Sequence, residues 1–397
     1  EITGALFGGS EVVATVSRRL IDPASVADPA VLVQAMMAAM MVSALWVNLA
    51  TWLGAPVSTT QTIIGAIVGA ATAAVGFGAV DWLTFGGIAT SWTLSPMIGA
   101  GLAMGLLALV RHLISGREDK ISAARRWVPV FLAVMGGAFA MFFALKLPDR
   151  YADPSSLEAL AIGLFGGGLC YLVARPVVQS RADALEQSKG AVKALFRLPL
   201  VIAAILMSFA HGANDVANAI GPLAAILHSV EFHSVAAKAT IPPWIMMIGA
   251  FGISLGLFLY GPKLINMVGA QITKMNPMRA YCVALSAAIT VILASALGLP
   301  VSSTHIAVGA VFGVGFFREY YTTHSRRRRD MMARRNGANG AEAETKKKSK
   351  SVQPDEFRYR KLVRRSHFLT IIAAWLITVP ATAVLAAIIF YALNLMQ

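Results

Sequence analysis

One phrase occurs twice in this chain, each time in apolar surroundings: Gly54-Ala55-Pro56-Val57-Ser58-Thr59-Thr60-Gln61 and Gly298-Leu299-Pro300-Val301-Ser302-Ser303-Thr304-His305. Both copies run on into a glycine-spaced tail, Gly65-Ala66 with Gly69 and Gly309-Ala310 with Gly313, so that eight of sixteen aligned positions are identical. An internal duplication set in membrane sequence is the pattern of a transporter whose two related halves meet around a central site.

The medium follows from composition. Of 397 residues, 57% are hydrophobic and only 14% are charged, against about 25% charged in soluble domains. Stretches long enough to cross about 30 Å of hydrocarbon lie near 31–52, 57–75, 86–110, 127–147, 157–174, 198–228, 242–260, 279–297, 301–317 and 368–394, with a partial one at 1–17. The expected fold is an all-α integral membrane protein, a polytopic helical bundle of two inverted-topology repeats with broken helices.

The net charge of +14 does not point to nucleic acid, because +10 of it sits between Arg318 and Arg365. Runs such as Arg326 to Arg329 and Lys346 to Lys348, separated by Asn-Gly and Glu-Ala stretches, predict a disordered hydrophilic loop. Basic loops beside membrane spans stay in the cytoplasm. The two cysteines, Cys170 and Cys282, lie in apolar segments without metal-ligand spacing and are expected to be small core residues.

Loop charge also orients the spans. Placing the basic stretches Arg111–Arg126, Arg175–Arg197 and 318–366 inside gives a consistent count of crossings, with Arg18 and Arg19 as the exception. The copy at Pro56 then starts on the cytoplasmic side and the copy at Pro300 outside, so the halves are inverted unless either copy is a re-entrant hairpin. The halves align as 31–52 with 279–297, 57–75 with 301–317, and 86–110 with 368–394, the last pair carrying Trp92 with Pro96 and Trp375 with Pro380.

The resulting division is a first repeat at 1–110, connecting helices and loops at 111–197, a second repeat at 198–317, the basic loop at 318–366 and a last helix at 367–397. The element 198–228 has no counterpart in the first half. The chain opens on Glu1 inside a hydrophobic stretch without the features of a signal peptide, and the counterpart is expected upstream of Glu1.

Two segments carry chemistry. Leu198 to Leu227 holds one formal charge, Asp215, in His211-Gly212-Ala213-Asn214-Asp215-Val216-Ala217-Asn218. Thirty residues make about 45 Å of helix, too long for one straight crossing, and Gly212 and Gly221-Pro222 offer breaks. A carboxylate at that depth is costly and marks function, although a cap or a structural pair is the plainer alternative. Asn214 and Asn218 have the same plain alternative as interhelical hydrogen bonds. In Pro300-Val301-Ser302-Ser303-Thr304 the proline and the hydroxyls suit a helix start, whose unpaired N–H groups and positive dipole end favour an anion. Either hydroxyl cluster alone could bond only to its own backbone.

The strings Gly212 to Ala219 and Gly298 to His305 resemble the signature of the inorganic phosphate transporter (PiT) family, of the bacterial low-affinity permease type, over essentially the whole chain. The resemblance implies symport of inorganic phosphate with H+ or Na+, by alternating access, in a multi-pass protein of the bacterial inner membrane. It assigns phosphate to Asn214, Asn218, Ser302, Ser303, Thr304, Ser58, Thr59 and Thr60. Asp215, His305 and Glu1 are the candidates for the coupling cation or proton. It mildly favours a homodimer. It implies no cofactor and no resident metal, while leaving open carriage of a divalent metal as a metal-phosphate complex. The family's first Asn-Asp motif is absent from this chain, and Gln61 stands where the second copy has His305.

Transport of another oxyanion such as sulfate, or an anion channel, are the rival functions. No His, Asp, Glu or Cys cluster has the spacing of an enzyme site.

Overall fold

The computed structural model describes residues 1–22, 25–26, 28–55, 57–146, 154–185, 190–232, 241–271, 275–324 and 365–396. Its elements are α1 (Ile2–Gly8), α2 (Ser10–Ala14), α3 (Pro29–Leu53), α4 (Thr59–Val75), α5 (Trp82–Val110), α6 (Lys120–Leu145), α7 (Ser156–Asp183), α8 (Ala191–Leu195), α9 (Arg197–Asp215), α10 (Ala217–Phe232), α11 (Pro243–Gln271), α12 (Pro277–Ala296), α13 (Ser303–His324) and α14 (Arg365–Leu395). Extended pairing among the described residues is one antiparallel bridge, Ile21 with Val80. The centre of the basic loop, 325–364, lies outside the described residues, as does Pro56.

Every apolar stretch noted in the sequence forms helix. Among the described residues, eight helical segments are long and apolar enough to cross a membrane, with α8, α9 and α10 forming one of them. The signature helices α4 and α13 are outside that set; α4 has only 17 residues. It is also the most enclosed: every residue from Thr60 to Ala71 is buried. A helix covered on all sides by protein does not need the length that a lipid-facing helix needs.

The duplicated phrase folds the same way twice. Gly54 (φ 72°) and Gly298 (φ 67°) adopt the left-handed conformation that glycine tolerates without a Cβ clash. They end α3 and α12 with matching pairs of bonds, Gly54 N–H to Thr51 C=O and Ala55 N–H to Ala50 C=O, then Gly298 N–H to Ser295 C=O and Leu299 N–H to Ala294 C=O. Ser58 then accepts from Gln61 N–H at 3.1 Å and Ser302 from His305 N–H at 3.2 Å, capping the two helices that follow.

Glycines set how closely these helices are gripped. Gly65 and Gly69 of α4 lie against Val379 and Ala383 of α14, and Gly309 and Gly313 of α13 lie against Pro96 and Ala100 of α5. A Cβ at any of the four would overlap backbone atoms of the facing helix. The two seams share one register, which pairs Pro96 with Val379 and Ala100 with Ala383. It aligns Trp92 with Trp375 and leaves Pro96 and Pro380 one residue apart, a correction to the paired-proline alignment.

The break in the long segment is also displaced from where the sequence placed it. Gly212 packs on the backbone of Glu1 and Gly221 on Val16, so both are close-approach positions. Pro222 sits inside α10. The helix is interrupted at Val216, directly after Asp215, where the Val216 N–H to Gly212 C=O bond is stretched to 3.4 Å. The ladder resumes at Ile220 N–H to Val216 C=O, at 3.0 Å.

Gly69→Val and Gly313→Val should each lower the melting temperature of the purified protein in detergent, since overpacking a tight contact costs about 1–3 kcal/mol. Gly105→Val, on a face of α5 with nothing within 4 Å of a built Cβ, should leave it unchanged. Equal melting temperatures for all three variants would show that the seams are loose.

Candidate functional site

The interruption at Val216 lies against the starts of α4 and α13. Three polar side chains flank it, and between them they reach the end of α12 and the starts of α4 and α13. Asn214 Nδ2 donates to Ser295 Oγ at 3.0 Å and to the Leu299 carbonyl at 3.1 Å. Asn218 Nδ2 donates to Thr59 Oγ1 at 3.2 Å and Thr60 Oγ1 at 3.3 Å. Asp215 Oδ2 accepts from Thr59 Oγ1 at 3.4 Å and from Ser303 Oγ at 3.2 Å. The two copies of the phrase are tied directly by Thr60 Oγ1 donating to the Val301 carbonyl at 3.0 Å.

Five of the sequence candidates therefore converge, Thr59, Thr60, Ser303, Asp215 and Asn218, with Asn214 on the neighbouring turn. Ser58 and Ser302 are buried and cap their own helices. Thr304, half-buried, follows Ser303 in the first turn of α13. His305 is fully buried and lies flat on Trp375, with ring centroids 3.6 Å apart. Glu1 reaches the site indirectly: its carboxylate oxygens stand 2.9 and 3.0 Å from His211 Nδ1. His211 Nε2 stands 3.0 Å from Asp215 Oδ2.

His211 thus bridges two carboxylates, a role that its four-residue spacing from Asp215 hinted at only as neighbourhood. Ser295, Leu299 and Val301 contribute without any sequence signal of their own, two of them through backbone carbonyls.

The accounting of donors and acceptors is uneven. The Leu299 carbonyl can only accept, so Asn214 must turn its NH2 to it. Both asparagine amides thereby spend their donors on protein, and the oxygens left over are Asn214 Oδ1, Asp215 Oδ1 and Asn218 Oδ1, all buried without a hydrogen-bond partner. Buried polar atoms are normally paired, and three unpaired oxygens flanking one helix interruption form a set suited to a hard cation. On the other side, capping at Ser58 and Ser302 leaves the N–H groups of Thr59, Thr60, Ser303 and Thr304 without intrahelical acceptors. Those groups lie at the positive ends of two helix dipoles, which suits an anion. Among the described residues no group of three or more His, Cys, Asp or Glu could hold a metal ion.

A family model described as the phosphate transporter family matches residues 1–386. This chain belongs to that family. Among relatives of the phosphate transporter family, a Helicobacter pylori (strain J99) protein provisionally named a phosphate permease is 43% identical over all of this chain and 82% of its own length. An Arabidopsis thaliana protein, "Inorganic phosphate transporter 2-1, chloroplastic", is 32% identical over 98% of this chain and 63% of its own. A solved structure titled "The sodium-dependent phosphate transporter" superposes over 100% of this chain and 88% of its own, with a TM-score of 0.85 and 28% identity. The family and its fold identify a multi-pass membrane protein of phosphate transport rather than an enzyme.

Thr60→Val should destabilise this phosphate transporter family member, because it removes a fully buried bond between the two signature segments and strands a carbonyl. The expected cost is about 1–3 kcal/mol, read as a lower melting temperature. Thr304→Val, whose hydroxyl makes no such tie, should cost less. Equal losses would show that Thr60 is not the tie between the halves.

Proposed function

We propose that the protein is a secondary active transporter that carries inorganic phosphate with Na+ by alternating access between two inverted halves. The observation that carries this reading is the helix interruption after Asp215, with three unpartnered oxygens on one side and two helix N-termini on the other. The reading also draws support from the membrane-spanning fold and from the printed title of the similar solved structure.

Phosphate is received by the N–H groups and hydroxyls at 59–60 and 303–304. Na+ is held by the oxygens of Asn214, Asp215 and Asn218. This moves the two asparagines from the phosphate set to the cation set, since their donors are already committed to protein. Na+ is preferred over H+ because one proton satisfies one oxygen or a shared pair, whereas a cation with several oxygen ligands satisfies all three.

Electrostatics then links the two. Like charges about 4 Å apart repel by about 4 kcal/mol at an effective dielectric of about 20. Asp215 and Glu1 share one histidine, His211, so even with that ring charged one negative charge stays uncompensated; phosphate beside it therefore binds poorly, and Na+ between them removes the repulsion. The aligned packing of α4 on α14 and of α13 on α5 suits a pair of halves that exchange conformations.

In proteoliposomes, Asp215→Asn should abolish phosphate accumulation driven by a cation gradient while the protein still inserts and purifies; retained accumulation would sink the assignment. For the unmodified protein, an inward Na+ gradient should support accumulation and a pH gradient alone should not. The reverse pattern assigns the coupling to H+. Flux independent of any ion gradient would identify a channel instead. Sulfate should compete weakly with labelled phosphate, and equal competition would widen the substrate class to tetrahedral oxyanions.

A further inference from the structure

None of the candidate site residues lies on α6 or α7, and the outer face of this helix pair is left unfilled by protein. The two helices run antiparallel through glycine contacts: a Cβ built at Gly167 would meet the Ala133 carbonyl, and one at Gly163 would meet Met141. Between them lies a groove of about 440 Å³, bounded by residues from Val130 to Met141 on α6 and from Leu160 to Tyr171 on α7. Val134 and Leu164 stand up at its sides, 66% and 70% exposed. Gly168 opens onto free space, with nothing within 4 Å of a built Cβ. From Val130 to Met141 the groove runs about 16 Å, close to half of a hydrocarbon core of about 30 Å. That is the depth of one leaflet.

Charge gathers at one end of the groove. Arg126 comes four residues before Val130 and Arg175 four residues after Tyr171, so each falls on the helix face that lines it. Ala133 stands level with Gly167 and Met141 with Gly163, and continuing that register brings Arg175 to within about one turn, about 5 Å along the axis, of Arg126. Both arginines are exposed, at the end that loop charge assigns to the cytoplasm. The adjacent Arg125 is paired with Asp183. Arg126 and Arg175 have no acidic partner among the described residues, and the Arg126 guanidinium faces only the Trp127 ring, at 5.6 Å.

An apolar channel one leaflet deep, with two unpaired guanidiniums at its mouth, matches one kind of membrane component: an acyl chain that carries an anionic phosphate diester. The guanidinium fork binds two phosphate oxygens at once, and basic pockets between helices on the cytoplasmic side are a setting for anionic headgroups. A second copy of the chain fits this face less well. A two-fold axis normal to the membrane brings like ends together, so four guanidiniums would meet there with no carboxylate among the described residues to separate them.

We propose that the groove between α6 and α7 is a binding site for an anionic glycerophospholipid, with one acyl chain lying between Val134 and Leu164 and the phosphate held by Arg126 and Arg175. The lipid fills the space that the glycines leave, and its headgroup supplies the counter-charge that the protein does not. The site is separate from the centre at Asp215 and does not depend on which ion drives transport.

The test is native mass spectrometry of the full chain in detergent, titrated with phosphatidylglycerol and, separately, with phosphatidylcholine of the same acyl chains. Phosphatidylglycerol should be retained about tenfold more strongly or better. Arg126→Gln and Arg175→Gln should each weaken its retention about fivefold and the pair about thirtyfold, while Lys146→Gln, at the other end of α6, should leave it unchanged. Gly168→Leu, whose side chain has room to fold, should block the groove and lower retention about tenfold without lowering the melting temperature. Inorganic phosphate at millimolar concentration should not displace the lipid.

Equal retention of the two lipids, or an equal loss from Lys146→Gln, would leave only unselective charge attraction and overturn the proposal. Unchanged retention in Gly168→Leu would overturn the acyl seat, and with it the site. Displacement by inorganic phosphate would reassign the arginines to a free anion. A dimer that is lost on Gly168→Leu while lipid retention stays the same would make this face a contact between copies of the chain instead.

Discussion

The constraint on which the rest depends is that hydrocarbon offers no partner to a backbone N–H or C=O. A continuous helix meets it internally. This chain departs from continuity at three places that meet, the interruption at Val216 and the starts of α4 and α13. The interruption exposes acceptors at the end of α9 and the two starts expose donors. Bringing them together puts an opposite set at hand for each unpaired set. Asp215 and Asn218 hold it by binding Thr59, Thr60 and Ser303 through four side-chain hydrogen-bond contacts at 3.2–3.4 Å. The polar centre is therefore part of what closes the fold as well as its site.

That centre stays aligned because the surrounding contacts leave little freedom. Gly65 and Gly69 let α14 reach the backbone of α4, and Gly309 and Gly313 let α5 reach that of α13. Close backbone approach of this kind replaces the hydrophobic drive that lipid cannot supply between membrane helices. Each glycine seam begins nearly two turns into its helix, so it holds the N-terminal half while leaving the loop before it unclamped.

Much of this was legible in the sequence, and the parts that were not share a cause. The duplicated phrase revealed two caps because Gly54 and Gly298 need positive φ and Ser58 and Ser302 are good N-caps, all local properties. The helices followed from apolar run length. Asp215 stood out because a lone carboxylate at depth has no bland explanation that is also cheap. The break, by contrast, was assigned to Gly212 or to Gly221-Pro222 from local rules. Tertiary contacts overrode them: Gly212 is taken up by the close approach of Glu1, Gly221 by Val16, and the interruption falls at Val216, whose own propensity would continue the helix. Which face of each asparagine amide is left free was not legible, for a related reason. An amide carries both donors and acceptors, and which of them faces the ligand is decided by partners such as the Leu299 carbonyl, invisible to any motif.

The consequence reaches the chemistry of coupling. Had the amide NH2 groups been left free instead, Asn214 and Asn218 would offer donors beside the two helix starts, a set better suited to an anion. With the donors turned to Ser295, Leu299, Thr59 and Thr60, the residual groups flanking the interruption are oxygens, one of them carrying a full negative charge. On the proposed reading such a site would repel phosphate until a cation occupies it, and phosphate at the helix starts would lower the cost of keeping that cation out of water. The benefit is mutual and, by linkage, equal in both directions. On that proposal, coupling between the two solutes would need no signal carried across the protein: it would follow from which way two asparagine side chains are turned.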